Sequence, residues 1–266
     1  MNQPQNDLER ALWSVSRGPE GYPTLFRQLR ESMVTFLMPY HPEWVGDVPI
    51  ENGTAITFAV WQNADGPQIP IFTSLERAEA ALEAIGGDMK YAVAEMKGEW
   101  LFGAIAGQEL PAVLNPACGT PHLSLDVRAA RKLADGSILR VEKGPQEQGR
   151  LKIVDAADYP TDLLQPVFRF LRGRPEVRAA WLFYRLEQDA PPQRYYVFSL
   201  LVQGDAEAVQ NELSVVVRHA VKDGPDFGVT KVDPDDPEMG KIMAQFPPFY
   251  AAPDYRAPTP LPPEPA

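Results

Sequence analysis

The junction at residues 69–74, Ile-Pro-Ile-Phe-Thr-Ser, constrains the fold of this chain more than any other segment. Its apolar residues end a hydrophobic strand, and two hydroxyl residues follow at once. Thr73 and Glu76 have the spacing of a capping box, in which the threonine oxygen accepts a backbone N–H and the glutamate reaches back. The segment therefore predicts a buried strand that turns directly into a helix, with Thr73 or Ser74 at the helix start.

The elements around this junction follow from apolar spacing. Apolar runs at residues 55–61 and 68–72 flank the turn sequence Asn-Ala-Asp-Gly-Pro, which predicts a hairpin. The helix after the junction ends at Gly86, and its predicted apolar face consists of Leu75, Ala78, Leu82 and Ile85.

Other periodic segments complete the N-terminal part of the chain. Helices are predicted from Asn6 or Asp7, from Tyr22, around Trp100, and after Ser124 as an N-cap. Strands are predicted at residues 33–38, 91–94 and 112–114, and two further strands, at 138–141 and 151–154, are predicted on either side of the domain junction. These elements favour a mixed α/β sheet domain over residues 6–150.

The pattern changes from Tyr159 onwards. The predicted elements there are a helix with Leu164, Phe168 and Leu171, strands at 177–186 and 195–202, a helix capped by Asp205, and a final strand at 227–232. This order predicts a smaller α-β-β-α-β layered domain over residues 151–250, with helices on one face of an antiparallel sheet. Residues 251–266 are predicted to be a disordered, proline-rich tail. The predicted fold class is therefore α+β.

The charge balance and the apolar content restrict the partners and the compartment. The 266 residues include 25 basic and 36 acidic side chains, which gives a net charge of −11. Because an acidic surface repels phosphate backbones, we predict no nucleic acid partner. The longest dense apolar stretch, residues 195–202, is far shorter than the about 20 residues that span a bilayer, so we predict no membrane partner. The polar N-terminus and the single cysteine predict a cytoplasmic protein.

The residue patterns of common catalytic and metal sites are missing from the sequence. His41, His122 and His219 are widely spaced and form no metal-binding motif. The sequence also has no nucleophile elbow and no glycine-rich phosphate loop. Cys118 and His122 share one loop, so a thiol–imidazole pair stands as an alternative to a small structural cysteine. We predict no cofactor, no metal and no enzyme activity.

Polar residues follow two apolar strands, at Phe72 and at Asn115. If these strands lie side by side, Asn115 shares one sheet edge with Thr73 and Ser74. The N–H groups of a helix start can hold a small anion, and crevices at strand ends bind ligands in α/β sheets. The structural alternative is that the hydroxyls cap the helix and that Asn115 holds a turn.

Two further features favour a protein partner. Residues 223–266 hold eight acidic and three basic residues. The segment Phe-Pro-Pro-Phe-Tyr makes Phe249 and Tyr250 candidate contacts, because a proline-fixed aromatic segment loses little entropy on docking. Four arginines lie close together in sequence at the end of a predicted helix and the start of the next strand, namely Arg169, Arg172, Arg174 and Arg178. Cations at this place are stabilised by the helix dipole. Alternatively, they form a docking point for an acidic partner, such as the chain's own tail.

Three segments together resemble the SseB family of bacterial proteins, namely residues 69–74, 114–116 and 246–250. The resemblance extends over residues 8–250 and implies an N-terminal and a C-terminal SseB domain. The family is named for a serine-sensitivity trait, and its molecular activity is poorly defined, so the resemblance implies no active-site residue. It favours a non-catalytic interaction or regulatory protein with an unidentified partner, of undetermined oligomeric state.

Two alternatives remain open at the level of sequence. One is a small anion- or metabolite-binding protein that uses the crevice near Thr73, Ser74 and Asn115. The other is an enzyme that acts through Cys118 and His122.

Overall fold

The structure, a computed structural model, describes residues 3–40, 56–64, 66–86, 91–140, 150–154, 158–186, 195–220 and 227–257. The chain divides into two compact units. The first contains residues 1–17 and 21–139, and the second contains residues 18–20 and 140–266. Both units combine helices with a sheet, so the predicted α+β class is confirmed. The two units divide between Leu139 and Arg140, whereas the sequence predicts the domain boundary at residue 150.

The first unit is built on a mixed sheet, as predicted. Its described helices are α1 (Asp7–Val15), α2 (Tyr22–Glu31), α3 (Leu75–Ile85), α4 (Gly98–Ala106) and α5 (Val127–Asp135). Its described strands are β1 (Met33–Pro39), β2 (Trp61–Asn63), β3 (Gly66–Phe72), β4 (Tyr91–Lys97), β5 (Ala112–Leu114) and β6 (Leu123–Leu125). The strand order is β4-β1-β3-β5-β6, with β2 also paired to β3. Strand β3 runs parallel to β5, and the other pairs are antiparallel.

Helix α3 begins one residue later than the capping-box prediction. Ser74 is the N-cap, and its Oγ accepts the N–H of Arg77, whereas Thr73 bonds elsewhere. The predicted apolar face is therefore also wrong at its ends, because Leu75 and Ile85 are 44% and 51% exposed. Small residues of the helix face the sheet instead, and the resulting core cluster comprises Leu37, Ala59, Phe72, Ala78, Ala81 and Cys118.

Three other sequence expectations in this unit need correction. Ser124 lies within β6, and the N-cap of α5 is Asp126, whose carboxylate accepts the N–H of Ala129 at 2.6 Å. The described part of the predicted strand 138–141 begins with a 3-10 turn, Ser137–Leu139. The hairpin of β2 and β3 is confirmed, but in the described part of the run 55–61 only Trp61 belongs to a strand.

The second unit contains the antiparallel pair that the sequence predicts, with additional elements. Its described helices are α6 (Thr161–Arg172), α7 (Ala206–Ala220) and α8 (Pro237–Gln245). Its described strands are β7 (Arg150–Ile153), β8 (Val177–Leu186), β9 (Tyr195–Val202), β10 (Phe227–Lys231) and β11 (Tyr250–Ala251). The sheet order is β10-β9-β8-β11, and β7 also pairs with β8. Strand β10 is parallel to β9 rather than antiparallel, because α7 forms a helical crossover between these neighbours.

Both faces of this second sheet are covered, whereas the sequence predicts helices on one face only. Helices α6 and α7 pack on the face that carries Leu182 and Phe198. The opposite face of β8, with Ala179, Trp181 and Phe183, packs against Met243 of α8. Strand β8 is apolar on both faces, so two covering layers are required. Sequence analysis missed α8, whose first residue is a proline, as helix starts allow.

The C-terminal segment completes the edge of this sheet. The N–H of Phe249 donates to the Ala180 carbonyl at 2.9 Å, and the N–H of Ala252 donates to the Arg178 carbonyl at 2.9 Å. The first residues of the predicted tail, 251–257, are thus placed next to β8, and residues 258–266 lie outside the described residues.

Candidate functional site

The second unit carries a concave groove beside α6, with a volume of about 600 Å³. We call this surface the aromatic groove. It is lined by Tyr159, Thr161, Leu164, Gln165, Phe168, Arg169 and Phe249. The volume lies within the range of about 300–1,000 Å³ that is usual for ligand sites. One of the predicted contact residues, Phe249, therefore forms part of the groove wall.

The amphipathic pattern of α6 determines which side chains face the groove. Leu163, Val167 and Leu171 of α6 are buried against the sheet. Phe168 lies away from that buried face and is 42% exposed. An exposed phenylalanine on a helix leaves apolar surface available to a ligand. The groove floor is thus firmly packed, while its wall carries an uncovered ring.

Phe249 is held by ring contacts and by the backbone. Its ring lies 6.2 Å from that of Phe198 and 6.4 Å from that of Tyr159, both in edge-to-face geometry. Its N–H is bonded to Ala180 of β8. A groove wall that is fixed in this way is preorganised, so binding orders few additional groups.

Tyr250, the other predicted contact in this segment, faces inward. Its hydroxyl donates to the Leu171 carbonyl at 3.0 Å, and its ring packs edge-to-face on Phe168 at 5.6 Å. Burial raises the pKa of the Tyr250 phenol, so the side chain stays neutral and keeps its donor. Tyr250 therefore supports the exposed Phe168 ring from below.

The predicted arginine cluster separates into different roles. The Nε of Arg169 lies 2.9 Å from Glu20 Oε1 at the groove. The guanidinium of Arg174 lies 4.9 Å from the centre of the Phe170 ring. Arg178 pairs with Asp254 at 2.7 Å, so an acidic residue of the chain's own C-terminal region does contact this cluster. The hydrogen bond from Arg178 holds the pKa of Asp254 below its usual range.

The second predicted site, at Thr73 and Asn115, is brought together by the parallel pairing of β3 with β5. Ile71 lies opposite Leu114 in this pairing, so the residues beyond each strand end meet at one edge, as predicted. The Thr73 N–H donates to Asn115 Oδ1 at 2.9 Å, and Asn115 Nδ2 donates to Thr73 Oγ1 at 3.0 Å. Thr73 and Asn115 are 4% and 1% exposed, and Phe72 is fully buried.

Residues near the N-terminus cover this corner. Asn6 Nδ2 donates to the Thr73 carbonyl at 2.8 Å, and Ser74 Oγ donates to Gln5 Oε1 at 3.0 Å. Beside them, Arg77 and Glu9 form an ion pair at 2.7 Å with side chains that are 5% and 0% exposed. Sequence analysis missed this pair, because neither residue belongs to a motif. In the structure, the polar groups of the corner bond one another, and the corner is closed.

Cys118 and His122 differ in their surroundings. The Cys118 thiol is buried in the α3 core cluster and donates to the Asn115 carbonyl at 3.3 Å, whereas His122 is exposed. The other described histidine, His219 on α7, has its pKa lowered by burial. His41 lies outside the described residues. Among the residues whose positions are described, no three His, Cys, Asp or Glu side chains are grouped as metal ligands.

The two units coincide closely with two family domains. Residues 8–124 match the SseB protein N-terminal domain, and residues 145–251 match the SseB protein C-terminal domain. The chain belongs to the SseB family. The aromatic groove lies within the match to the SseB C-terminal domain, and the closed corner lies within the match to the SseB N-terminal domain.

The other comparisons with known proteins do not indicate an activity for this SseB-family chain. No curated protein and no solved structure matches the chain. Neither domain description names a reaction or a ligand. In the described part of the chain, no helix combines the length and the apolar content that a membrane crossing requires.

Proposed function

We propose that this SseB-family chain is a non-catalytic, cytoplasmic protein-interaction module that binds its partner through the aromatic groove of the C-terminal domain. The observation that carries the proposal is the partly exposed Phe168 ring, backed by Tyr250 and facing the same groove as Tyr159 and Phe249. Aromatic side chains dominate binding energy at protein interfaces, particularly where they fill a well-packed depression.

The composition of the groove suits a peptide or a protein loop. Apolar rings provide the area that is removed from water, and Thr161, Gln165 and Arg169 provide a polar rim. Interfaces commonly combine an apolar centre with such a rim, since the rim groups orient the partner by hydrogen bonds. The groove is open to solvent, which allows a macromolecular ligand to enter without a change in the fold.

The surroundings of Cys118 support the non-catalytic interpretation. A nucleophilic thiol needs access to substrate and a base that deprotonates it. Cys118 instead packs with Leu37 and Phe72 and donates a hydrogen bond to a backbone carbonyl. These contacts support the role of a small core residue.

Photo-crosslinking in living bacterial cells tests this function. A photoreactive amino acid at Gln165, within the groove, should give one discrete protein adduct. The same group at Glu207, an exposed residue on α7, serves as the matched control and should not give that adduct. Phe168→Ala should remove at least four-fifths of the adduct, about the loss expected when 1 kcal/mol of binding energy disappears.

A second groove variant guards against a folding artefact. Thr161→Arg places a long side chain on the exposed rim and should block the partner while leaving the core contacts intact. Thermal melts of both variants should show the cooperative unfolding of the parent chain. An adduct that persists in both folded variants, or that forms equally from Glu207, would contradict binding through the groove.

A further inference from the structure

We infer that the ligand of the aromatic groove is an extended, acidic segment of another protein, which places a large apolar side chain in the groove and a carboxylate on Arg172. The inference rests on the proposed function of the groove and adds the chemistry of its partner. It also predicts a short sequence pattern, in which an apolar residue and an acidic residue are separated by a single position.

The side of α6 that faces the groove continues to a cation. Thr161, Gln165 and Phe168 line the groove and follow one another at helical spacing. Arg172 is the next residue of this series, and it is exposed. Because residues three or four positions apart share one helix face, Arg172 extends the groove-facing side of α6 beyond the Phe168 ring. A ligand that covers the ring therefore also reaches the guanidinium.

The surroundings of Tyr250 place this cation beside the groove wall. The Tyr250 ring packs on Phe168 at 5.6 Å, and its hydroxyl donates to the Leu171 carbonyl at 3.0 Å. Burial raises the pKa of the Tyr250 phenol, whereas the positive charges of Arg172 and Arg178 act to lower it. Both guanidiniums thus lie within electrostatic range of the ring that supports Phe168.

The neighbouring arginines already bind carboxylates of the chain itself. Three of them form ion pairs, namely Arg169 with Glu20, Arg174 with Glu212, and Arg178 with Asp254. Among the described residues, no carboxylate pairs with Arg172. A guanidinium presents its N–H donors in a planar fork that matches a carboxylate. Arg172 therefore remains available for a carboxylate that a partner supplies.

The two ends of α6 carry opposite charges at this surface. Asp158 and Asp162 are exposed at the start of the helix, and Asp162 lies about 15 Å from Arg172 along the helix axis. Since Glu20 balances the charge of Arg169, Arg172 carries the excess positive charge at the other end. The net charge of the whole chain is −11, so this end of the groove differs from the average surface. An acidic ligand is attracted at one end and repelled at the other, which determines where its carboxylate binds.

The distance between the ring and the cation determines the spacing within the ligand. Phe168 and Arg172 are four positions apart on α6, which corresponds to a rise of about 6 Å. In an extended peptide, side chains on the same side are two positions apart, or about 6.6 Å. An apolar side chain against Phe168 and a carboxylate on Arg172 therefore occupy alternate positions of one extended segment. Tyr159 and Phe249 complete the wall for the apolar side chain.

Titration of the isotope-labelled, full-length chain, followed by nuclear magnetic resonance, tests the inference with synthetic peptides. The acidic peptide, Gly-Ser-Glu-Ser-Phe-Ser-Glu-Ser-Gly, has a carboxylate at the alternate position on each side of its phenylalanine, so it fits in either direction. A neutral peptide has glutamine in place of both glutamates. We expect the parent to bind the acidic peptide about threefold to fivefold more tightly than the neutral one, the upper range for an exposed ion pair. Phe168→Ala should weaken the binding of both peptides.

A charge exchange identifies Arg172 as the contact. Arg172→Glu should weaken the acidic peptide at least fivefold and should instead prefer a peptide with lysine in place of both glutamates, a gain that a misfolded chain would not show. Arg218→Glu makes the same change of net charge at an exposed position of α7 and should retain the preference for the acidic peptide. Raising the salt concentration from about 20 to about 500 mM should reduce that preference to less than about twofold, because salt screens exposed charges.

The inference is overturned if the acidic peptide does not bind, if the parent binds the acidic and neutral peptides equally, or if Arg172→Glu and Arg218→Glu show the same preference. A uridine oligonucleotide that binds these residues more tightly than the acidic peptide would identify nucleic acid as the ligand. A dimer that Arg172→Glu abolishes would identify a second copy, and either result also refutes the inference. If the Gln165 crosslink depends on Phe168 but not on Arg172, this inference fails and the proposed function stands. A parent chain that gives no adduct at Gln165 would instead contradict the proposed function.

Discussion

Asn115 combines an unusual backbone conformation with a backbone hydrogen bond and side-chain hydrogen bonds in the first unit. Its backbone φ of 53° lies in the left-handed region, its N–H donates to the Ile71 carbonyl at 2.8 Å, and its side chain bonds Thr73. Asparagine tolerates this backbone conformation better than most residues. The residue therefore fixes the end of β5 to the start of the α3 turn.

We predict that Asn115→Gly and Asn115→Ala destabilise the first unit by different amounts. Both variants lose the buried bonds to Thr73, which should cost about 2 kcal/mol. Only alanine also carries the penalty of a left-handed backbone, so it should cost about 1 kcal/mol more. Urea unfolding measures both changes in the free energy of unfolding.

Gln108→Ala, an exposed substitution, serves as the control and should stay within about 0.5 kcal/mol of the parent. An alanine variant at least as stable as the glycine variant would show that the backbone conformation of Asn115 carries no strain.

The sequence predicted that Thr73 and Asn115 share one sheet edge if the two strands lie side by side. It did not predict that this edge is closed by other side chains. Polar residues directly after two apolar strands indicate a shared edge if the strands are parallel neighbours, and β3 and β5 are. The closure of that edge depends on Gln5 and Asn6, which lie about 70 positions away along the chain. Periodicity contains no information about such distant contacts, so an open crevice and a closed corner were indistinguishable in sequence.

Helices α1 and α3 are connected by the buried pair of Glu9 and Arg77. The Arg77 Nε donates to Glu9 Oε1 at 2.7 Å, and the Gln5 N–H donates to the other carboxylate oxygen at 2.8 Å. A buried charge is tolerated only when such partners replace water. The pair therefore fixes how the two helices are placed together within the first unit.

We predict that breaking this pair is more harmful than replacing it. Glu9→Leu or Arg77→Met alone leaves one uncompensated charge in the core and should cost about 3–5 kcal/mol. The double variant removes both charges and should recover most of that loss. Chemical denaturation of the four chains gives the coupling energy directly.

The exposed pair of Arg131 and Glu109, at 3.3 Å, provides the matched control. Arg131→Ala should change stability by less than about 0.5 kcal/mol, because solvent screens such pairs. A double variant as unstable as the sum of the single variants would argue against coupling between Glu9 and Arg77.

Elements with strong apolar periodicity were predictable, and elements defined by tertiary contacts were not. The strand pair β8 and β9 and the helix α7 follow from uninterrupted apolar patterns and the cap at Asp205. Helix α8 follows an acidic, proline-containing stretch that is typical of a turn, and its buried Met243 gains its role only from the sheet face that it covers. The two residues of β11 are too few to show any periodicity.

At the scale of the whole molecule, the two units are of similar class but differ at their candidate sites. In the first unit, the candidate corner is filled by its own side chains. In the second, both sheet faces are covered, and the groove beside α6 leaves an aromatic ring partly exposed. Sequence predicted the order of the two domains, because each has its own run of strands and helices. It did not predict the groove, whose lining comes from segments about 80 positions apart.

Because Cys118 is buried, the reactivity of its thiol reports the unfolding of the first unit. It is the single cysteine of the sequence, is 6% exposed, and belongs to the core of the first unit. A thiol-specific label should therefore react only with molecules in which that unit has opened. Labelling should be about thirtyfold faster for Asn115→Gly, as a 2 kcal/mol loss implies, and unchanged for Phe168→Ala in the other unit. Rapid labelling of the native parent chain would show that this interior is open to reagents.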